Sequence, residues 1–218
     1  MITNDIAQAV TALASGKLCA IPTETVYGLA ANALDENAVA RVFEAKERPA
    51  DHPLIVHISS INQLEKWAVD IQEYAVKLAR NFRPGPMTLI LKRSALVKDF
   101  ITSGQSNVGL RVPAQPIALA LLAEFEKNGG FGIAAPSANR FGAVSPTTAS
   151  DVSEELQTYL NREDLILDGG QCSVGLESTI IDCTGAQPII LRPGAITKEM
   201  INHSIKIDGV KSNYKSDI

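Results

Sequence analysis

Short apolar segments alternate with amphipathic segments along most of this chain. The apolar positions between Ile6 and Leu13 recur at helical spacing, which predicts a first helix capped by Thr3 or Asn4. The next segment, Leu18–Ile21, is apolar throughout and is predicted to form a buried strand. The same reasoning predicts further strands over Leu54–Ile58, Met87–Leu91, Val108–Val112, Phe131–Ala135, Leu165–Leu167, Thr179–Ile181 and Ile189–Leu191.

Helical spacing of apolar residues returns between these strands. It predicts helices that begin at Asp35, lie near 64–67 and 71–82, extend from about Pro116 to Lys127, and include Val152 to Leu160. Many strands are apolar throughout, which indicates a sheet covered on both faces. Some gaps between strands are too short for a helical crossover, so the sheet is predicted to be mixed. The predicted fold class is therefore α/β.

The length and composition predict one principal domain. A chain of 218 residues that is 45% hydrophobic can bury a large core. We assign residues 1–202 to this domain, and we predict that the polar stretch 203–218 is a C-terminal tail or the start of a linker. The N-terminus has no basic segment followed by a long apolar run. A cytoplasmic protein with no membrane association is therefore predicted.

The charge balance limits the function classes. The net charge is −4 and the pI is about 5.4, which excludes a generally basic nucleic-acid coat protein. Any contact with RNA would need a local basic patch. The cysteines are odd in number and lack CxxC spacing, so they are predicted to be buried thiols of a reducing compartment and not zinc ligands; they are Cys19, Cys172 and Cys183.

Arginine followed by proline is the most informative local pattern. It occurs at Arg48, Arg83 and Arg192, and Arg111-Val112-Pro113 is close to a fourth case. Proline biases the preceding residue toward extended conformations, so its guanidinium has less freedom to lose on binding phosphate or carboxylate. One such pair alone would more often end a helix or cap a turn. Four together favour a site for a polyanion, to which Lys46 adds a point charge.

Three further loops at strand ends carry hydroxyls, carboxylates and glycines. They are 22–29, 134–142 and 168–179. The chain contains no Walker A sequence, no dinucleotide-binding fingerprint and no catalytic triad. It also lacks a metal-ligand cluster, so any divalent ion is expected to arrive with a nucleotide. Residue types alone thus predict an anion-binding α/β protein. His57 stays ambiguous at this level, because a histidine within a strand is more often a core residue.

At these loops the sequence resembles the YrdC/TsaC family, the threonylcarbamoyl-AMP synthases of tRNA modification. The resemblance extends in collinear order from about Ile6 to Thr197, and it suggests a short form without the second domain of the longer relatives. The motifs are PTETVYGL (22–29), KxRPxxHPL (46–54), RPGPMTLIL (83–91), LRVP (110–113), APSAN (135–139), SPT (145–147), ESTI (177–180) and LRPG (191–194).

The resemblance implies a fold and a reaction. The fold would be a single YrdC-like domain with a twisted, mixed parallel and antiparallel sheet, flanking helices and a concave basic groove. The reaction would convert L-threonine, bicarbonate and ATP, with Mg²⁺ on the nucleotide, into threonylcarbamoyl-AMP and pyrophosphate. A tRNA threonylcarbamoyl transferase would then receive the product for the adenosine next to the anticodon. Weak direct contact with tRNA is a further expectation.

The resemblance also implies roles for individual residues. Lys46 and Arg48 would be catalytic, as a clamp on the phosphates. The residues that would bind L-threonine are Thr25, His57, Arg111, Ala135 and Ser178, with Arg111 on the carboxylate. The residues that would bind ATP are Arg48, His52, Asn107, Ser137, Asn139, Ser145 and Arg192. No residue is expected to hold a metal ion directly.

Two positions depart from part of the family. His52 stands where many relatives carry asparagine, and both side chains can donate a hydrogen bond to ATP. The chain also ends soon after Arg192, so residues after Lys206 would have to do part of the work of the longer relatives' linker unless a short form needs none. Two other functions stay open: an RNA-binding module, and a relative that acts on a different carbamoyl adenylate.

Overall fold

The computed structural model describes residues 1–206 and 210–213. In this part of the chain the helices are α1 (Ile6–Ala14), α2 (Glu36–Lys46), α3 (Leu64–Trp67), α4 (Glu73–Phe82), α5 (Asp99–Thr102), α6 (Pro116–Lys127), α7 (Ala149–Leu156) and α8 (Lys198–Ile205). The strands are β1 (Ile2–Thr3), β2 (Cys19–Ile21), β3 (Gly28–Asn32), β4 (Ile55–His57), β5 (Met87–Lys92), β6 (Asn107–Arg111), β7 (Ile133–Ala134), β8 (Leu165–Leu167), β9 (Thr179–Asp182), β10 (Ile189–Arg192) and β11 (Lys211–Ser212).

The strands of the described residues form one sheet in the order β1-β8-β2-β3-β7-β4-β6-β5-β9-β10-β11. Its central pairs are both parallel and antiparallel: β4 pairs parallel with β6, whereas β6 pairs antiparallel with β5. The predicted α/β class with a mixed sheet and flanking helices is confirmed.

The two faces of the sheet are covered differently. Helices α1 and α6 bury Leu13 and Phe125 in a cluster over β8, β2, β3 and β7. The larger cluster lies on the opposite face and includes Val56 of β4 and Leu110 of β6. Because side chains alternate along a strand, the neighbouring His57 and Arg111 point to the face that α1 and α6 cover elsewhere. The candidate site begins where that helical cover ends.

The first helix begins later than predicted. Asp5 is its N-cap, with a carboxylate oxygen that accepts hydrogen bonds from the backbone N–H groups of Ala7 and Gln8. Thr3 lies in β1, and its hydroxyl accepts a hydrogen bond from Asp5 N. The predicted caps, Thr3 and Asn4, were therefore wrong by one or two residues, because aspartate is as good a cap as either of them.

Other differences follow from local packing. Strand β3 was not predicted, because Gly28–Asn32 is built from small residues without the β-branched side chains that mark strands. Helix α7 ends at Leu156, so Tyr159 and Leu160 are not helical. The ring of Tyr159 instead lies 5.0 Å from the guanidinium carbon of Arg140.

The polar C-terminal stretch is partly built into the domain. Helix α8 crosses the proposed boundary at residue 202, and Val210 is 2% exposed in the larger core cluster. Strand β11 pairs parallel with β10. The described part of 203–218 therefore packs on the sheet and is not a detached tail. Residues 207–209 and 214–218, on which any cover over ATP would partly depend, lie outside the described residues.

Within the described residues, none of the helices combines the length and the apolar character needed to cross a membrane.

Candidate active site

A cavity opens on the sheet face that carries His57 and Arg111. It encloses about 540 Å³ of empty space, its open mouth included, which is in the usual range for small-molecule sites. Seven predicted site residues line it: Arg48, His57, Arg111, Ala135, Ser137, Ser178 and Arg192. The other lining residues are Thr23, Val26, Gly28, Pro53, Ile55, Pro136 and Glu177.

Arg111 anchors the buried side of the cavity. One of its terminal nitrogens donates to Glu24 Oε1 and to Thr25 Oγ1, both at 2.8 Å. Arg111 and Glu24 are 4% and 6% exposed, so this is a buried ion pair. The second carboxylate oxygen of Glu24 accepts from Ala114 N at 2.8 Å. The Nε atom of Arg111 is buried without a hydrogen-bond partner among the described residues, so a donor remains for a ligand.

The loop between β2 and β3 sets the position of Thr25. Thr23 Oγ1 donates to the carbonyl of Val26 at 2.6 Å and accepts from the backbone N–H groups of Thr25 and Val26. This hydrogen-bonded turn fixes the backbone on which Thr25 is placed. Tyr27 then donates its hydroxyl to the carbonyl of Gly170 at 2.8 Å, which ties the loop to the segment after β8. Burial raises the pKa of Tyr27 to about 12, so the phenol stays a donor.

His57 lies beside Arg111, because the two residues are partners in the parallel pairing of β4 and β6. It is 3% exposed, and its Nδ1 atom has no hydrogen-bond partner among the described residues. Burial, and then the positive charge of Arg111, lower the pKa of His57 to about 3. The imidazole is therefore neutral near pH 7 and can donate or accept one hydrogen bond at the cavity wall.

We expect His57 to remain neutral when the protein is titrated. Its folded pKa lies below the ordinary 6.5, so the folded state binds fewer protons than the unfolded state between about pH 3 and 6.5. The contribution of His57 to stability is therefore present above pH 6.5 and is lost as the pH falls. Nuclear magnetic resonance of the ring nitrogens should show no titration of His57 between pH 5 and 8. A midpoint within that range would contradict the assignment.

Arg48 follows helix α2, which ends in a left-handed residue at Glu47. The guanidinium donates to the carbonyls of His52 at 3.3 Å and Pro53 at 3.2 Å, so the loop folds back on Arg48. It also lies 5.9 Å from the ring centre of Phe141. His52 is exposed and packs edge-on against the same ring, beside the cavity and not in its lining. The Arg48 side chain is half-buried, so it is available to an anion at the mouth.

Lys46 has a different environment from the one predicted. It is 1% exposed, does not line the cavity, and donates from Nζ to the backbone carbonyls of Ser137 and Asn139. Burial, followed by the charge of Arg48, lowers the pKa of Lys46 to about 8. The lysine thus joins the end of α2 to the loop after β7. The contacts show that Lys46 supports the loop that carries Ser137. Direct contact of Lys46 with phosphate stays a prediction.

Replacement of Lys46 by methionine should destabilise the fold and disorganise this loop, because two buried carbonyls lose their donor. The folded pKa is below the ordinary 10.5, so the folded state binds fewer protons between about pH 8 and 10.5. The wild type should therefore gain stability over Lys46→Met as the pH rises through that window. Denaturant unfolding of both proteins at about pH 8 and about pH 10.5 measures this difference in the free energy of unfolding. Lys77→Met, an exposed change on α4, is the control, and an equal pH response in both variants would contradict the assignment.

The loop after β7 forms the opposite wall. Ala135 and Ser137 line the cavity, and the backbone of Pro136 accepts a hydrogen bond from Leu29 N at 2.8 Å. Gly28 permits this close approach, because a Cβ atom there would lie 3.3 Å from both Ala135 Cβ and Pro136 O.

Asn139 supports the loop and does not line the cavity. Its amide nitrogen donates to the carbonyls of Arg140 at 2.7 Å and Ala143 at 2.8 Å. Its Oδ1 atom is buried without a partner among the described residues. Contact of Asn139 with ATP stays a prediction.

Ser178 and Arg192 form a third wall. Arg192 donates to Ser178 O at 3.0 Å and to Ser178 Oγ at 2.9 Å, and Thr88 Oγ1 lies 2.8 Å from the same hydroxyl. Ser145 lies just outside the cavity lining, and its hydroxyl donates to Glu177 Oε1 at 2.9 Å. Glu177 also lies 3.4 Å from Arg192.

Asn107 and Arg83, which were also singled out from the sequence, lie away from the cavity. Asn107 begins β6 and Arg111 ends it, so they share a face but lie about 13 Å apart along the strand. Arg83 is buried and donates to the carbonyl of Leu110, so it supports β6 from the core side. The four arginines of the Arg-Pro pattern therefore differ in role. Arg48, Arg111 and Arg192 line the cavity, whereas Arg83 supports the fold.

Three residues of the site were missed as site residues. Glu24 and Glu177 were part of quoted motifs, and Thr88 lies inside RPGPMTLIL, but none was assigned a role. A carboxylate directly after a buried strand was the available signal for Glu24. The signal for Glu177 was its position next to Ser178. The sequence contains no comparable signal for Thr88, which looks like an ordinary strand residue.

Comparison with known proteins agrees with this geometry. The Sua5/YciO/YrdC family model, described as telomere recombination, matches residues 11–194. A curated threonylcarbamoyl-AMP synthase of Pyrococcus abyssi is 52% identical over 87% of this chain and 54% of the relative, and one of Bacillus subtilis is 48% identical over 91% and 56%. The structure of P. abyssi Sua5 complexed with L-threonine superimposes with a TM-score of 0.90 at 47% identity, covering 97% of this chain and 62% of that one.

The chain thus spans about half the length of the curated relatives named above. The family model covers strands β2 to β10 and all the loops that form the cavity. The chain belongs to the Sua5/YciO/YrdC family.

Proposed function

We propose that this domain forms L-threonylcarbamoyladenylate and pyrophosphate from L-threonine, bicarbonate and ATP. The observation that carries the proposal is a cavity with two chemically different parts. One part is buried and is lined by Arg111, which donates to Thr25, and by neutral His57, whereas the more exposed part is lined by Arg48 and Arg192. Similarity to relatives named threonylcarbamoyl-AMP synthase supports the choice of substrates.

The buried part suits an amino acid. In the proposal the carboxylate of L-threonine accepts from Arg111, whose Nε atom otherwise lacks a partner, and an unpaired buried donor costs free energy. Thr25, His57, Ala135 and Ser178 surround the rest of the molecule. The similarity to P. abyssi Sua5, which was crystallised with L-threonine, supports this placement.

The more exposed part suits the polyphosphate of ATP. Arg48 and Arg192 would neutralise phosphate oxygens, and the hydroxyls of Ser137 and Ser145 would add neutral donors. Burial lowers the pKa of both arginines, yet guanidinium groups stay charged at pH 7. The described residues contain no group of three or more His, Cys, Asp or Glu side chains arranged to hold a metal. Mg²⁺ therefore enters the proposal as part of the MgATP substrate.

The reaction needs positioning more than a protein nucleophile. The amino nitrogen of L-threonine attacks the carbon of bicarbonate, and loss of water leaves a carbamate. A carbamate oxygen then attacks the α-phosphorus of ATP, the bond to the β-phosphate oxygen breaks, and pyrophosphate leaves. Fixed cations stabilise the charge that develops on phosphate, and a partly closed cavity protects the carbamate from water. A tRNA threonylcarbamoyl transferase would receive the product, and weak contact with tRNA belongs to the same proposal.

Pyrophosphate release tests the proposal. We expect release from MgATP only when both L-threonine and bicarbonate are present, at a rate that saturates with each of them. Release that continues without L-threonine would indicate a different acceptor, and release without bicarbonate would exclude a carbamate intermediate. Either result would overturn the proposal.

A further inference from the structure

A carboxylate of the chain itself lies among the groups that should receive ATP. Glu177 Oε1 accepts from Ser145 Oγ at 2.9 Å, and Oε2 lies 3.4 Å from a terminal nitrogen of Arg192. Glu177 lines the cavity together with Arg48 and Arg192. Its negative charge also acts on Lys46, where it opposes part of the effect of burial. The anion within this cationic wall is thus the side chain of Glu177. It contacts Ser145 and Arg192, two of the donors expected to hold the nucleotide.

The backbone of Glu177 is fixed, but its side chain has room to move. A Cβ atom at Gly194 would lie 2.6 Å from Glu177 O, so the segment after β10 packs directly on this backbone. Ser178, the next residue, is 1% exposed and is held by Arg192 and Thr88. The side chain of Glu177 is 36% exposed, and Leu176 before it is 61% exposed. A change of side-chain rotamer can therefore release the donors without rearrangement of the sheet.

We propose that Glu177 is a positioning residue which holds Ser145 and Arg192 ready for a phosphate and is displaced when the phosphate binds. The inference rests on the proposed function, because it names the residue that occupies the phosphate subsite before the nucleotide arrives. A carboxylate and a phosphate accept the same charge-assisted hydrogen bonds, so they compete for one set of donors. Removal of the charge should strengthen polyphosphate binding, whereas removal of the whole side chain should also leave the donors unordered.

The test is calorimetric binding of inorganic tripolyphosphate, without Mg²⁺, to wild type, Glu177→Gln and Glu177→Ala. Glutamine can still accept the hydrogen bond from Ser145 but carries no charge that competes with phosphate. Glu177→Gln should therefore bind tripolyphosphate about 10-fold more tightly than wild type. Glu177→Ala should gain less than Glu177→Gln. Binding of L-threonine should not change in either variant. The matched control is Glu154→Gln, which removes one negative charge from the surface of α7.

The outcomes separate this inference from the proposed function. Equal or weaker binding by Glu177→Gln, or an equal gain in Glu154→Gln, would overturn the inference even if the synthase reaction occurs. A tripolyphosphate gain that is largest in Glu177→Gln and absent in Glu154→Gln would support it even if no adenylate is formed. If neither wild type nor Glu177→Gln bound tripolyphosphate, the wall would not be a phosphate subsite and the inference would fall. Melting temperatures of all the variants show whether each is folded.

Discussion

Replacement of Arg111 by alanine is expected to abolish L-threonine binding and to destabilise the fold at the same time. The substitution removes the proposed carboxylate partner and leaves Glu24, which is 6% exposed, without its counter-ion. Loss of one member of a buried ion pair typically costs about 3–5 kcal/mol of the free energy of unfolding. Loss of the substrate contact should lower kcat/KM for L-threonine at least about 100-fold. Denaturant unfolding and initial-rate kinetics measure the two effects.

The double variant Glu24→Gln/Arg111→Ala separates stability from function. Glutamine is neutral and its side-chain oxygen can still accept from Ala114 N, so part of the lost stability should return. The loss of L-threonine binding should remain. Recovery of binding in the double variant would show that Arg111 acts only through the fold, and the threonine subsite would then have to be assigned elsewhere.

Replacement of Arg48 by alanine is expected to lower the rate strongly with little change in stability. Arg48 is half-buried and makes two long hydrogen bonds to loop carbonyls, at 3.3 and 3.2 Å. Its loss should change the free energy of unfolding by less than about 1 kcal/mol. A preorganised cation on a reacting phosphate is worth about 100- to 1,000-fold in rate, so kcat/KM for ATP should fall by this factor.

Arg162→Ala supplies the matched control for Arg48, because Arg162 is exposed and its replacement changes the net charge equally. It should leave the kinetics unchanged. Near-wild-type kcat/KM in Arg48→Ala would remove Arg48 from the nucleotide subsite. A similar loss in both variants would instead indicate a long-range effect of net charge, which added salt would abolish.

Most of the fold could be predicted from the spacing of apolar residues along the chain. Strands such as Leu165–Leu167 were predicted with the bounds they have, because a buried strand must be apolar on both faces. Strand β3 could not be found in this way, since Gly28–Asn32 is held by pairing with β2 and β7 and not by its own side chains. The described part of 203–218 was misjudged because packing of Val210 outweighs the polar composition around it.

The site was predictable where motif and geometry coincide. Arg48 lies in the loop after α2, whereas Arg111 and Arg192 end two different strands, and the fold brings all three to one cavity. The sequence could not reveal that Arg111 is already paired with Glu24, because that contact joins residues 87 positions apart. It also could not show that Lys46 turns inward to backbone carbonyls, since a surface lysine and a buried one look alike in a sequence.

Product analysis with isotopically labelled bicarbonate tests the proposed reaction most directly. The purified protein would be incubated with MgATP, L-threonine and ¹³C-bicarbonate, and the nucleotides would be separated and weighed by mass spectrometry. The proposal predicts a threonylcarbamoyl adenylate whose mass increases by one unit relative to the unlabelled reaction, formed at a rate about 100- to 1,000-fold lower in Arg48→Ala. Formation of AMP or a threonyl adenylate that carries no label would contradict the proposed chemistry.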